Sequence, residues 1–175
     1  MPRPDLSRVP EFYHNYIKKA PENDLLTALK NNTSEFNALL KDIPSDKHDY
    51  SYAEGKWTVK EILQHIIDNE RIQAYRALRF ARNDKTLLPG YDENLFAANT
   101  HLAGTTVESL LEEFAVTRRS NIMMFENFSD EMLQRTGICF NVTIPVLALG
   151  FVLAGHQLHH LNIIRERYLP IVAKN

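Results

Sequence analysis

The feature that most constrains this chain is an apolar run, Ile144 to Gly155, that leads directly into two histidines four residues apart, His156 and His160. Val146, Leu149, Val152 and Leu153 precede the pair, and Ile163 and Ile164 follow it. A helix through this segment must therefore be largely buried, and it carries its imidazoles inward with it. Residues i and i+4 on an α-helix are offset by only ~40° of rotation and ~6 Å of rise, so both rings can be aimed at one point. A third histidine from another helix would complete a three-nitrogen cap with coordination positions left for water or substrate. His65, far upstream, is the candidate.

The rest of the chain must supply a core around that segment. With 175 residues, 44% of them apolar or aromatic, there is material for one well-buried core and little for two. Twenty basic and twenty-two acidic residues, mixed along the length, give no electrostatic reason to bind nucleic acid or an anionic membrane. The single cysteine, Cys139, excludes an internal disulfide and a cysteine-rich zinc site. Among apolar neighbours it reads as structural. No signal core opens the chain, and the longest apolar run is shorter than the ~20 residues a bilayer requires. The expectation is a soluble, cytoplasmic protein.

Helical periodicity dominates. Residues 1–22, with Pro2, Pro4 and Pro10, read as an arm with a short helical turn over Glu11 to Lys19. Residues 23–170 read as a single helical-bundle domain, and residues 171–175 as a tail. Within the domain, a first long helix runs from about Asn23 to Lys41, its apolar face supplied by Leu25, Leu26, Leu29, Phe36, Leu39 and Leu40. Thr58-Val59-Lys60-Glu61 is a capping box that opens a second helix to about Arg82, and Thr105-Thr106-Val107-Glu108 opens a third to about Asn127. Between them, Leu87 to Asn94 is turn-rich and is expected to cross one mouth of the fold, followed by a short turn over Glu93 to Ala98. Thr136 to Val142 reads as a small hairpin or extended link. Thr143 caps a fourth helix with Pro145 in its first turn, continuing to about Tyr168, with Pro170 as the stop. The fold class expected is an all-α four-helix bundle with a long loop between its second and third helices, in an order that need not be up-and-down.

Other candidates surround the three histidines. Asp68 and Glu70 follow His65 closely and could orient its imidazole or accept a proton; the alternative is a solvated flank pairing with Arg71 or Arg76. His159 could substitute for His160, act behind it, or sit at the surface. His14, His48 and His101 read as solvent-facing or structural. Trp57, Tyr91 and Asp92 are candidates for the mouth of a pocket, although Trp57 could equally anchor the core and Asp92 cap a turn.

Tyr52-Ala53-Glu54-Gly55-Lys56-Trp57-Thr58-Val59-Lys60-Glu61-Ile62-Leu63-Gln64-His65 resembles the segment that opens the metal-bearing helix in the DinB-like, YfiT-like superfamily. Gly155-His156-Gln157-Leu158-His159-His160-Leu161 is similar to that family's closing H-x3-H helix, and Gly90-Tyr91-Asp92-Glu93-Asn94 to a loop of YfiT-like members. The resemblance spans about Leu25 to Leu169. It implies a four-helix bundle, a homodimer, and a divalent metal held by His65, His156 and His160. Gln64 departs from the pattern, since some relatives carry another histidine there, so ligands transfer but no general base does.

Imidazole donors suit nickel or zinc, with iron, manganese or copper as further candidates. The first function expected is a metal-dependent hydrolase acting on a small molecule through activated water. The alternative is an S-transferase using a low-molecular-weight thiol of the bacillithiol or mycothiol type, held at the metal as thiolate. A third reading makes the cluster a non-catalytic staple; structural zinc usually takes four protein ligands, so it would need His159 or Glu70 as the fourth. No Ser-His-Asp set, phosphate loop or dinucleotide fingerprint appears.

Overall fold

The computed structural model describes residues 1–172. Its long helices are α2 (Leu25–Lys41), α3 (Val59–Ala81), α5 (Val107–Glu126) and α7 (Val146–Ile163). Shorter helices are α1 (Glu11–Lys19), α4 (Glu93–Ala98), α6 (Asp130–Gln134) and α8 (Leu169–Val172); β1 (Thr136–Cys139) and β2 (Val142–Pro145) form one antiparallel hairpin.

The starts of these helices follow their local chemistry. Asp24 accepts from the Thr27 amide at the head of α2, and Thr58 and Glu61 close the expected capping box on α3. At α5 the box is displaced by one residue: Thr106 pairs with Ser109, whose hydroxyl reaches back where the sequence reading used Thr105 and Glu108. At α7 the reading of Thr143 as cap is corrected. Thr143 lies in β2 opposite Ile138, and the helix begins at Val146 without a side-chain cap. Extended pairing satisfies this backbone instead, and Val146 N donates to Arg135 O at 2.9 Å.

The bundle order is not up-and-down. Helix α7 packs against α2 and α3, and α5 packs against the same two, so the sequential pair α2 and α3 sits on a diagonal. Helix α1 adds a further layer on the outer side of α7, so the segment read as an arm is part of the packed structure. That layer explains why α7 is apolar all round: every residue from Val146 to Leu158 is buried, because the helix has neighbours on three sides. The crossing is close. A Cβ on Gly155 would stand 1.8 Å from the Tyr16 carbonyl oxygen, so only glycine lets the backbones meet there.

The helical path does not stop at Pro170. A π-turn over Ile164–Tyr168, closed by Leu169 N to Ile164 O, leads into α8, which carries the proline. Widening the turn before a residue with no N–H removes one demand for a donor. Residues 173–175 of the expected tail lie outside the described residues. No helix among the described residues is long and apolar enough to cross a membrane.

Candidate metal centre

His65 sits in the second turn of α3, and His156 and His160 lie in the second half of α7, the helix packed against it. All three are 6–7% exposed. The edge of the α3 stripe that carries His65 is thus part of the interior. The Nε2 atoms of His65 and His156 are 3.0 Å apart, those of His160 and His156 3.2 Å, and the three candidate ligand atoms fall within 4.8 Å of one another.

Hydrogen bonding among themselves does not satisfy these nitrogens. A neutral ring nitrogen offers one hydrogen or one lone pair, so His156 Nε2 cannot serve both neighbours well. His160 Nδ1 is buried with no partner at all. Burial holds His65 down at about 4 and His156 and His160 well below the usual histidine range, with repulsion from neighbouring histidines adding to it, His159 in every case. The cluster is therefore neutral imidazole, the form that ligates. Nitrogens bound ~2.1 Å from a tetrahedral ion would stand ~3.4 Å apart, close to the observed spacing. The donor set fits a divalent cation with three protein ligands.

No fourth donor joins them among the described residues. His159 is half-buried and packs edge-on to Tyr16 at 5.6 Å. Glu70 is remote in function although near in sequence. Its carboxylate accepts from Arg118 at 2.5 Å and from Asn121 at 2.7 Å, so neither oxygen is left to orient an imidazole, and its partner is neither Arg71 nor Arg76. Asp68 accepts from Gln64 at 3.0 Å and lies 4.0 Å from Arg71, with burial raising its pKa. His48 is buried with Nε2 3.1 Å from the Ile43 carbonyl, His14 bonds to Leu6 O and Val9 O, and His101 is exposed. Cys139 is fully buried in β1, where burial pushes its thiol up.

Two clefts flank the cluster. One, of about 210 Å³, lies on the His160 side between Trp57, Asn94 and Tyr168; the Trp57 ring tilts over His65 at 4.6 Å. The other, of about 200 Å³, lies on the His156 side beneath Tyr16, Tyr91 and Phe140. Of the expected mouth residues, Trp57 and Tyr91 line these clefts. Asp92 does not: it caps α4, accepting from the Asn94 and Leu95 amides. The hairpin tip places Phe140 at φ 45°, its ring against Gly90, where a Cβ would meet it at 2.6 Å.

The second cleft contains three further polar groups of α3, of which the sequence singles out only Arg76, and that as a partner for Asp68 or Glu70. Asn69, Gln73 and Arg76 are buried along α3 below His65. Arg76 donates to Gln73, Gln73 donates to Asn69 at 3.2 Å, and the Tyr91 hydroxyl donates to Asn69 at 3.0 Å. Their signal was a helical period: positions 65, 69, 73 and 76 share one face, and all four are polar.

The sequence profile of the DinB superfamily matches residues 28–164, which include all three histidines. The chain belongs to the DinB superfamily. A relative from Oceanobacillus iheyensis, named "putative metal-dependent hydrolase", is 23% identical over 142 residues, covering 79% of this chain and 80% of its own. YfiT from Bacillus subtilis, described as a probable metal-dependent hydrolase with an unusual four-helix bundle topology, superposes with a TM-score of 0.74 at 16% identity, over 84% of this chain and 85% of YfiT. The mycothiol-dependent maleylpyruvate isomerase superposes with a TM-score of 0.65 at 13% identity, over 84% of this chain and 61% of the isomerase. At these identities the structural likeness establishes the fold.

Proposed function

We propose that this DinB superfamily member is a metal-dependent enzyme acting on a small molecule, a hydrolase first, with His65, His156 and His160 as the ligands. One observation carries the reading: three buried neutral imidazoles converge on one point with no acid or fourth donor among the described residues, beside a cleft of about 200 Å³. A closed staple would need that fourth ligand. A divalent ion there would supply Lewis acidity, polarising a carbonyl or lowering the pKa of water from about 15.7 toward 7.

The protein's own part is positional. Helices α3 and α7 fix the imidazoles from rigid elements, and α1 with Tyr16 shields His156 from bulk water. Asn69 and Tyr91, tied to each other, present polar atoms at the cleft one turn from His65. The names of the Oceanobacillus relative and of YfiT support hydrolysis. The mycothiol-dependent neighbour supports a second reading, a thiol S-transferase, in which the thiol must come from outside because Cys139 is buried.

Elemental analysis of tag-free protein, with nickel and zinc reloading, tests the centre. Near-stoichiometric metal, lost in His156→Ala and His160→Ala, is expected; full retention in both variants defeats it. Ester and amide hydrolysis by the loaded protein supports the first reading. Saturable binding of bacillithiol, mycothiol or glutathione, without hydrolysis, replaces it with the second.

A further inference from the structure

Apart from histidines, the charged side chains buried among the described residues are Glu70, Arg76 and Arg118. Glu70 and Arg118 neutralise each other. Arg76, 5% exposed, does not have such a partner: its Nη1 donates to Gln73 Oε1 at 3.3 Å, its Nη2 to the Pro89 carbonyl at 2.9 Å, and its guanidinium lies 5.9 Å from the Tyr91 ring centre. All three contacts are to neutral groups. A guanidinium stays charged in a protein, and a buried charge without a counter-ion is costly. Further N–H donors of its planar fork remain beyond the two used, in the geometry that grips a carboxylate. Glu93, the acid on the same cleft lining, is exposed on α4 and forms no ion pair with it.

Arg76 and His156 line one cleft. On α3, Arg76 lies eleven residues beyond His65 and therefore on nearly the same face, about 16 Å along the axis. Both side chains lean toward the N-terminus, and Arg76 has the longer reach, so the gap left between guanidinium and imidazole is on the order of 10–15 Å. Gln73 and Asn69 occupy the steps between.

The geometry points to an anion subsite: Arg76 binds a carboxylate on the substrate, whose reacting end lies at the histidine centre. A carboxylate is favoured over a bulkier anion because the cleft of about 200 Å³ must hold the reacting part as well. This inference rests on the metal-centre reading and gives it a substrate class: small monocarboxylates with a reactive group several bonds away from the acid.

The test uses cobalt-loaded full-length protein and two chain probes, 6-mercaptohexanoate and 6-mercaptohexan-1-ol, with cobalt–thiolate absorption as the readout. Both thiols report on the metal, and only the first carries the anion. The acid is expected to bind about 10–100-fold more tightly than the alcohol, the range of a charge-assisted hydrogen-bonded pair. In Arg76→Gln that preference should vanish while the alcohol binds as before, and Arg76→Lys should keep part of it. Equal binding of acid and alcohol to the wild type overturns the subsite and leaves the metal centre standing. A preference that survives Arg76→Gln, or a loss of both probes together in that variant, removes Arg76 from the role. Absence of any cobalt d–d absorption in the loaded protein before thiol is added overturns the metal centre and the subsite with it, whereas cobalt that binds neither thiol overturns the subsite alone.

Discussion

Five residues apart on the inner side of α3, His65 and Glu70 begin two buried polar clusters that solve opposite problems. Glu70 belongs to a closed set. Its two oxygens take Arg118 and Asn121, and Arg118 also donates to the Leu29 carbonyl, leaving Arg118 Nε as the unpartnered atom. The set ties α3 to α5 and α2. His65 belongs to an open set, in which three nitrogens face one another and His160 Nδ1 faces nothing that can bond to it. Equal burial thus goes with structure in one place and a candidate ligand site in the other: the closed set pairs its two charges and leaves over a single N–H, whereas the open set turns three imidazole nitrogens toward one another with no counterpart between them.

The largest expected effect comes from breaking the closed set. Arg118→Ala or Glu70→Ala leaves one buried charge alone and should cost about 3–5 kcal/mol in chemical denaturation. The double change Glu70→Met with Arg118→Met should recover most of it; an equal loss in the double variant would show that the pair matters for shape rather than charge. Breaking the open set should behave differently. His156→Ala is expected to leave the metal-free protein near wild-type stability while abolishing the gain on adding metal, about 2.7 kcal/mol at a concentration 100 times Kd. A calorimetric scan with and without nickel separates the two outcomes.

A third variant tests the layer that covers the open set. Gly155→Ala drives a Cβ into the Tyr16 carbonyl, so α1 must move off α7 at a cost of about 1–3 kcal/mol, with weaker metal retention by the neighbouring His156. Unchanged stability would mean that α1 is loosely seated.

The smallest effect is on pH. Burial lowers His65 from 6.5 in the unfolded chain to about 4 in the fold. Between those values the unfolded state binds more protons, so the metal-free protein loses stability as pH falls through that window. For His65 alone the loss is roughly 0.7 kcal/mol from about pH 7 to about pH 6. Urea midpoints across that range should fall in the wild type and fall less steeply in His65→Asn, where the equally buried His156 and His160 still contribute.

Much of this was legible in the sequence because it is local. Capping at Thr58 and Glu61, the face of α2 and the i, i+4 spacing of His156 and His160 depend on neighbours within one or two turns. The boundaries that shifted, at Thr106, Thr143 and Pro170, are places where several local solutions are nearly equal and packing chooses among them. Glu70 shows the limit: its sequence neighbourhood offered Arg71 and Arg76, and its partner comes from a helix 48 residues away.

By itself, then, the sequence determined the helices, their apolar faces and the pair of imidazoles on α7, since each follows from a period of 3.6 residues and the chemistry of a helix end. The tertiary structure alone decided that His65 meets that pair, that Glu70 is spent on Arg118, and that Arg76 lies buried without an acid in the same cleft as His156. Those outcomes depend on which helices lie side by side, and that is settled by how the whole core packs rather than by any one segment.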